Sequence, residues 1–416
     1  MKNLILVTAF LLSGLNANAG TVDSNPSELE KARLKTMVIN HPKNGSYTSF
    51  IDDAEEHNSM TAYWQGAPFA YARGYNGSLY SRTSNGTLVS TSPVGQVIVA
   101  VIDSGVDTAH QDLDNNVLKS KAVMCTYSKG CFAYTKDTDG HGTNVAGVIA
   151  AEKNGVGMHG VAYGAKLLPI AAILDSGDGS DLSGYNYALD QGAKVINASY
   201  GLELEEGEIP IYTSKHGDAA AVPTPSSIQA YLAAKERGIS WYNVMDKVIS
   251  KDVIVVFASG NAGMDQVGIL AGLPYYFSGN LASKPFGYAT INPSNKDISK
   301  NWVTAGTVNV DVVSGNTVYS IASYSNKCGV AKNWCLFAPF ASNLYGYADN
   351  AIYTTAKGGG YEYNFGTSFA APSVSGAIAV MEGAFPHLKS KDILNILYNT
   401  ATDIGAPGVD WVYGRG

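Results

Sequence analysis

Residues 96–102 read Gln96-Val-Ile-Val-Ala-Val-Ile102, an almost unbroken apolar run that stops at Asp103-Ser-Gly105. Such a short β-branched run offers no polar face to water, so it predicts a strand covered on both sides. The same texture recurs at 166–173, 193–196, 252–258 and 302–308. Between these runs the spacing turns helical. Val145, Val148 and Ile149 share one face of a helix starting near Gly142, and Leu182, Tyr185 and Leu189 share another. Residues 228–249 hold one or two more. Buried strands alternating with helices predict an α/β fold with a mostly parallel central sheet flanked by helices.

In such a sheet ligands bind beyond the carboxyl ends of the strands. The residues that follow each apolar run therefore matter most: Asp103, 197–201 and 259–263. The rest of the chain narrows the setting. It has 416 residues and a net charge of −7, with no long basic run, which argues against nucleic acid as a partner. Met1-Lys2-Asn3, an apolar stretch over 4–15 and Asn16-Ala17-Asn18-Ala19-Gly20 make a secretory signal peptide over 1–19, too short to span a bilayer. Residues 20–60 are a polar N-terminal extension with one helical candidate at 27–38, and 74–95 reads as a loop rich in Gly, Ser, Thr and Asn. Residues 202–226 read as an insertion, with Glu203, Glu205, Glu206 and Glu208 crowded at its start.

The chain has four cysteines, Cys125, Cys131, Cys328 and Cys335. In an oxidising compartment two local disulfides are the natural pairing, although three connectivities are open. Each local bridge would contribute roughly 2–3 kcal/mol in the chain-entropy picture. Neither pair is a C-x2-C and no histidine sits beside them, which argues against zinc.

Nucleophilic hydrolysis needs a hydroxyl, an imidazole to take its proton, a carboxylate to hold the imidazole, and donors for the oxyanion. Asp103, His141, Asn261 and Ser368 are the candidates for those roles here. Each has an ordinary explanation when taken alone. Asp103 would cap a strand-to-loop turn, and His141, between two glycines, would be a turn histidine. Asn261 would be a turn asparagine. Thr367 or Ser368 would cap a helix, with Pro372 in its first turn and small residues from Ala370 to Ala377 allowing close packing. The set is harder to explain that way. Asp, His and Ser follow one another along the chain, each at the end of an element, with the asparagine just past a strand between the last two.

Those blocks carry a resemblance. Val101-Ile-Asp-Ser-Gly105, His141-Gly-Thr-Asn-Val-Ala-Gly147 and Gly366-Thr-Ser-Phe-Ala-Ala-Pro372 resemble the three active-site blocks of the subtilisin-like (S8) serine proteases, in the same order. Ile196-Asn-Ala-Ser-Tyr-Gly201 resembles their substrate-binding strand. The resemblance runs from about Tyr71 to Gly416 and places a peptidase domain over 61–416. It implies a three-layer sandwich around a seven-stranded parallel sheet, and endopeptidase activity on protein or peptide substrates. Residues 324–339 and 402–416 are similar to segments of subtilase autotransporters of Gram-negative bacteria. There the terminal motif runs on into a stem and an outer-membrane β-barrel, so the resemblance implies a secreted or cell-surface protein whose barrel lies beyond Gly416. The chain departs from the family at Ala338-Pro-Phe340, where Ala-Pro-Gly is usual. About 50 residues between signal and domain are also few for the usual inhibitory propeptide.

By the same resemblance Asp103, His141 and Ser368 form the triad, and the Asn261 side chain with the Ser368 N–H binds the oxyanion. Ser199, Tyr200 and Gly201, opposite Ala258, Ser259 and Gly260, would flank a substrate strand. Activity should then rise as His141 loses its proton, through roughly pH 6–7. The glutamates at 203–208 would favour basic substrates, unless they are merely a solvated acidic loop. No cofactor is required. Asp112 and the loop 152–158 sit where many members of the family hold a structural calcium. A catalytically weak, adhesive or structural surface protein on the same scaffold is the competing reading.

Overall fold

A computed structural model describes residues 57–58, 75–201, 225–235, 240–277, 297–313, 316–341 and 351–416. The expected signal peptide over 1–19, the extension with its helical candidate at 27–38, and the glutamates at 203–208 lie outside the described residues.

The apolar runs form the expected strands, β3 (Ile98–Asp103), β6 (Lys166–Ala171), β7 (Val195–Ala198), β8 (Ile254–Ala258) and β9 (Trp302–Val313), where β1 (Ser78–Arg82) and β2 (Leu88–Gln96) precede them. With β4 (Val123–Thr126), β5 (Gly130–Ala133), β10 (Asn316–Ile321) and β11 (Cys335–Ala341) they build a nine-stranded sheet ordered β10-β9-β8-β7-β3-β6-β4-β5, with β11 also on β9. Seven of its strands run parallel, as the resemblance implies. β5 and β10 join it antiparallel as additions.

The period of two along each strand divides the interior into two cores. Val99, Val101, Val195, Ile254, Val256 and Val303 face one side, packing on helices α1 (His141–Ala150), α5 (Thr367–Ala384) and α6 (Ser390–Thr400). Ala100, Ile102, Ile196, Val255, Phe257 and Trp302 face the other side, packing on α2 (Asp181–Asp190), α3 (Pro225–Lys235) and α4 (Trp241–Lys251). Strands sealed on both faces are what the unbroken apolar runs require. The order β7-β3-β6 makes β3 the central strand from which the chain turns to either side. A crevice therefore opens at the carboxyl end of β3, next to that of β7.

One segment differs from the sequence expectation, and a second hairpin adds to it. Of the expected loop 74–95, the described residues from 75 onward form the bulged hairpin β1–β2. Tyr80 is buried against Tyr75, and Arg82 donates to the Ala384 carbonyl and lies over the Phe385 ring, which fixes the hairpin to the end of α5. A second hairpin, β12 (Ile352–Ala356) with β13 (Gly360–Asn364), leads straight into α5. The two local disulfides, Cys125–Cys131 across β4–β5 and Cys328–Cys335, are both formed.

Candidate active site

Asp103 ends β3 almost fully buried, and His141 opens α1 above it. Asp103 Oδ1 accepts from His141 Nδ1 at 2.8 Å and from the Ser104 N–H at 2.8 Å. A buried carboxylate is costly without such donors. The helix mouth is held in place by residues that the sequence reading did not single out. Gly142 N–H donates to Ser104 Oγ, which donates to Asp137 Oδ1 at 2.7 Å. Asp137 Oδ2 accepts from the Thr143 N–H at 2.8 Å and from Thr143 Oγ1. A side chain at Gly142 would collide with the Gly105 carbonyl, so the helix can approach the strand end this closely only with glycine there. The available signal was an aspartate four residues before the histidine, on the loop that aims it.

The Asp103 carboxylate pushes the His141 pKa up to about 9; burial opposes this, and Asp139 and Asp137 add to it. The expected transition at pH 6–7 is thus moved upward, because the imidazolium sits against a buried anion.

Ser368 is the second residue of α5. The helix cap is Gly366, with no side-chain cap, so neither Thr367 nor Ser368 caps the helix as expected. Instead, Asn261 Oδ1 accepts from the Thr367 N–H at 2.8 Å and from Thr367 Oγ1 at 2.9 Å. Two donors on the oxygen leave Nδ2 of the exposed Asn261 as the group free to donate outward. The Ser368 N–H is a first-turn donor with no partner among the described residues.

Pro372 lies one turn deeper than expected, inside the helix. It has no N–H to give to the carbonyl four residues back, which is that of Ser368. Ser199 Oγ donates to that carbonyl at 2.7 Å, and Ser368 Oγ donates in return to the Ser199 carbonyl at 3.1 Å. Behind them runs a buried chain: Asn197 Nδ2 donates to Ser199 Oγ at 2.9 Å, and Ser375 Oγ donates to Asn197 Oδ1 at 2.9 Å. The proline thus leaves the Ser368 carbonyl free for a bond that ties this backbone to the end of β7. The Ser368 hydroxyl is turned to Ser199 and not to His141, so the structure brings Asp103 and His141 into contact but leaves the Ser368–His141 bond unmade.

The other candidate substrate residues lie at the carboxyl ends of β7 and β8. The Tyr200 ring packs on Phe257, and its hydroxyl donates to Asp181 Oδ2 at 3.4 Å. Ser259 Oγ donates to the Asn326 carbonyl at 3.2 Å, the Gly260 N–H donates to Thr367 Oγ1, Ala258 is buried and Gly201 is exposed. Asn326, also missed in the sequence, holds the Asn261 loop. Its Oδ1 accepts from the N–H groups of Ala262 and Met264, and its N–H donates to the Gly260 carbonyl.

The residues named for calcium do not suit a cation. The buried Asp112 carboxylate already accepts from Asn154 Nδ2, the Met158 N–H and the Tyr361 hydroxyl. Asn154 Oδ1 accepts from the Val156 N–H, so donors face the carboxylate where further oxygen ligands would be needed.

The family model of the Subtilase family, Peptidase S8, matches residues 95–416, and the chain belongs to that family. Fervidolysin of Fervidobacterium pennivorans is 31% identical over 77% of this chain and 39% of its own length. The extracellular serine protease of Serratia marcescens is 26% identical over 84% of this chain and 32% of its own. Serotype-specific antigen 1 of Mannheimia haemolytica is 31% identical over 56% of this chain and 21% of its own. The chain thus spans from about a fifth to two-fifths of the length of these relatives.

Proposed function

We propose that the protein is a serine endopeptidase that acts outside the cell. The observation that carries this is the His141–Asp103 bond at 2.8 Å, beside a helix mouth that presents Ser368 and an oriented Asn261 amide. In this reading the Ser368 hydroxyl exchanges its bond to the Ser199 carbonyl for one to His141 Nε2 when substrate binds. Because each hydrogen bond has a net worth of about 1 kcal/mol, the exchange costs little. His141 then takes the hydroxyl proton as Ser368 attacks the peptide carbonyl, and Asp103 stabilises the imidazolium. Asn261 Nδ2, the Ser368 N–H and the positive end of α5 receive the oxyanion. His141 passes its proton to the leaving amine, and water hydrolyses the acyl-enzyme. The backbones of 199–201 and 258–260 pair with the substrate strand.

The wider setting belongs to the same proposal. The signal peptide over 1–19, two formed disulfides and a relative named as extracellular support secretion or surface display. The motifs at 324–339 and 402–416 support a passenger domain over 61–416, carried to the outer membrane by a barrel. Cleavage of an unfolded protein substrate, abolished by Ser368→Ala in a variant of unchanged circular dichroism, tests the activity; equal cleavage by both would refute it. One observation favours the second reading, a catalytically weak surface protein: the Ser368 hydroxyl is engaged by Ser199. Under that reading the parent cleaves barely more than Ser368→Ala.

A further inference from the structure

A tyrosine occupies the place that the family resemblance assigns to a cation. Tyr361, on β13, reaches across to the loop 152–158. Its hydroxyl donates to Asp112 Oδ2 at 2.7 Å and accepts from Gln111 Nε2 at 3.1 Å, so both hydrogen-bonding roles of that oxygen are used. Its ring lies against Gly157, where any side chain would collide with it. It stands edge-on to His110 at 5.4 Å and stacks on Tyr353 at 5.5 Å. His110 Nε2 donates to the Gly360 carbonyl at 2.8 Å and its Nδ1 accepts from the Asp112 N–H, so the histidine bridges the same two segments. Asp112 is fully buried and its remaining donors come from the loop itself.

We propose that Tyr361 is a built-in plug that replaces a structural cation at Asp112 and couples the loop 152–158 to the hairpin leading into α5. Where a metal would hold the loop to itself, the tyrosine holds it to the β12–β13 hairpin, three residues from the helix that carries Ser368. The loop's order then depends on the hairpin and not on calcium.

The test uses the full chain carrying Ser368→Ala, so that self-cleavage cannot intervene, and reads unfolding without reference to activity. Melting temperatures are measured in excess calcium chloride and in excess EGTA, for this parent and for added Asp112→Asn or, should that variant fail to fold, Asn154→Ala. The proposal expects the same calcium response in parent and variant. A rise with calcium that is larger in the parent overturns it. Added Tyr361→Phe, which removes only the hydroxyl, should lower the melting temperature by roughly 2–4 °C in both media. It should also speed hydrogen exchange at Met158, whose N–H donates to Asp112. An unchanged melting temperature and unchanged Met158 exchange in that variant would overturn it as well.

Discussion

Glu382 lies on α5, four turns from Ser368, and is 5% exposed. No hydrogen bond or ion pair from the described residues reaches its carboxylate; Lys194 draws it weakly toward ionisation and Asp252 opposes that. Burial dominates and pushes its pKa from 4.5 up to about 7. The folded protein therefore holds this proton more tightly than the unfolded chain does. Its contribution to stability is fully present below about pH 4.5 and is lost as pH rises through about 7. At 1.36 kcal/mol per unit, the 2.5-unit gap between those two values amounts to about 3 kcal/mol above pH 7. Glu382→Gln keeps the shape and removes the ionisation, so it should recover that amount at pH 8 and almost nothing at pH 4.5. With ~2.1 cal/mol/K per residue of unfolding entropy, the gain reads as roughly 4 °C in melting temperature. Thermal melts of Ser368→Ala with and without Glu382→Gln, at both pH values, measure it. A gain of equal size at both pH values would refute the reasoning, because it would come from packing and not from the proton.

Asn261→Ala should lower kcat by about 10²–10³ with little change in KM, the range found for loss of the oxyanion asparagine in a subtilisin; steady-state kinetics on a peptide substrate checks it. Asn326→Ala, which frees the Asn261 loop, should lower kcat in the same direction while single-turnover substrate binding is kept. The acid limb of the kcat/KM profile should lie above ~6.5, the value for a free imidazole, because Asp103 favours the protonated ring and only the neutral ring accepts the Ser368 proton. Asp103→Asn removes that pull, so the residual activity of this variant should show the limb displaced to lower pH.

Much of the fold could be read from the apolar runs because strands sealed on both faces leave an unmistakable texture. The β1–β2 hairpin escaped because its strands are bulged and bury little: among their described residues only Tyr80 is buried, against Tyr75, while Val89 and Val94 are exposed. At the site, Asp103, His141, Asn261 and Ser368 stood out because each ends an element. Asp137 and Asn326 did not, and Thr367 was read only as a helix cap, since their work is to hydrogen-bond backbone and side chains brought close only by folding. The same holds for Tyr361, which lies 249 positions from Asp112 in sequence. The cap at Ser368 was misjudged because Thr367 satisfies Asn261 in preference to its own helix.

The central claim is that Ser368 is a nucleophile activated by His141. A fluorophosphonate probe followed by peptide mass spectrometry tests it most directly. The account predicts a single label on Ser368, faster with rising pH as His141 loses its proton and absent from Ser368→Ala. Folded protein that stays unlabelled, or that carries the label on another residue, would contradict it.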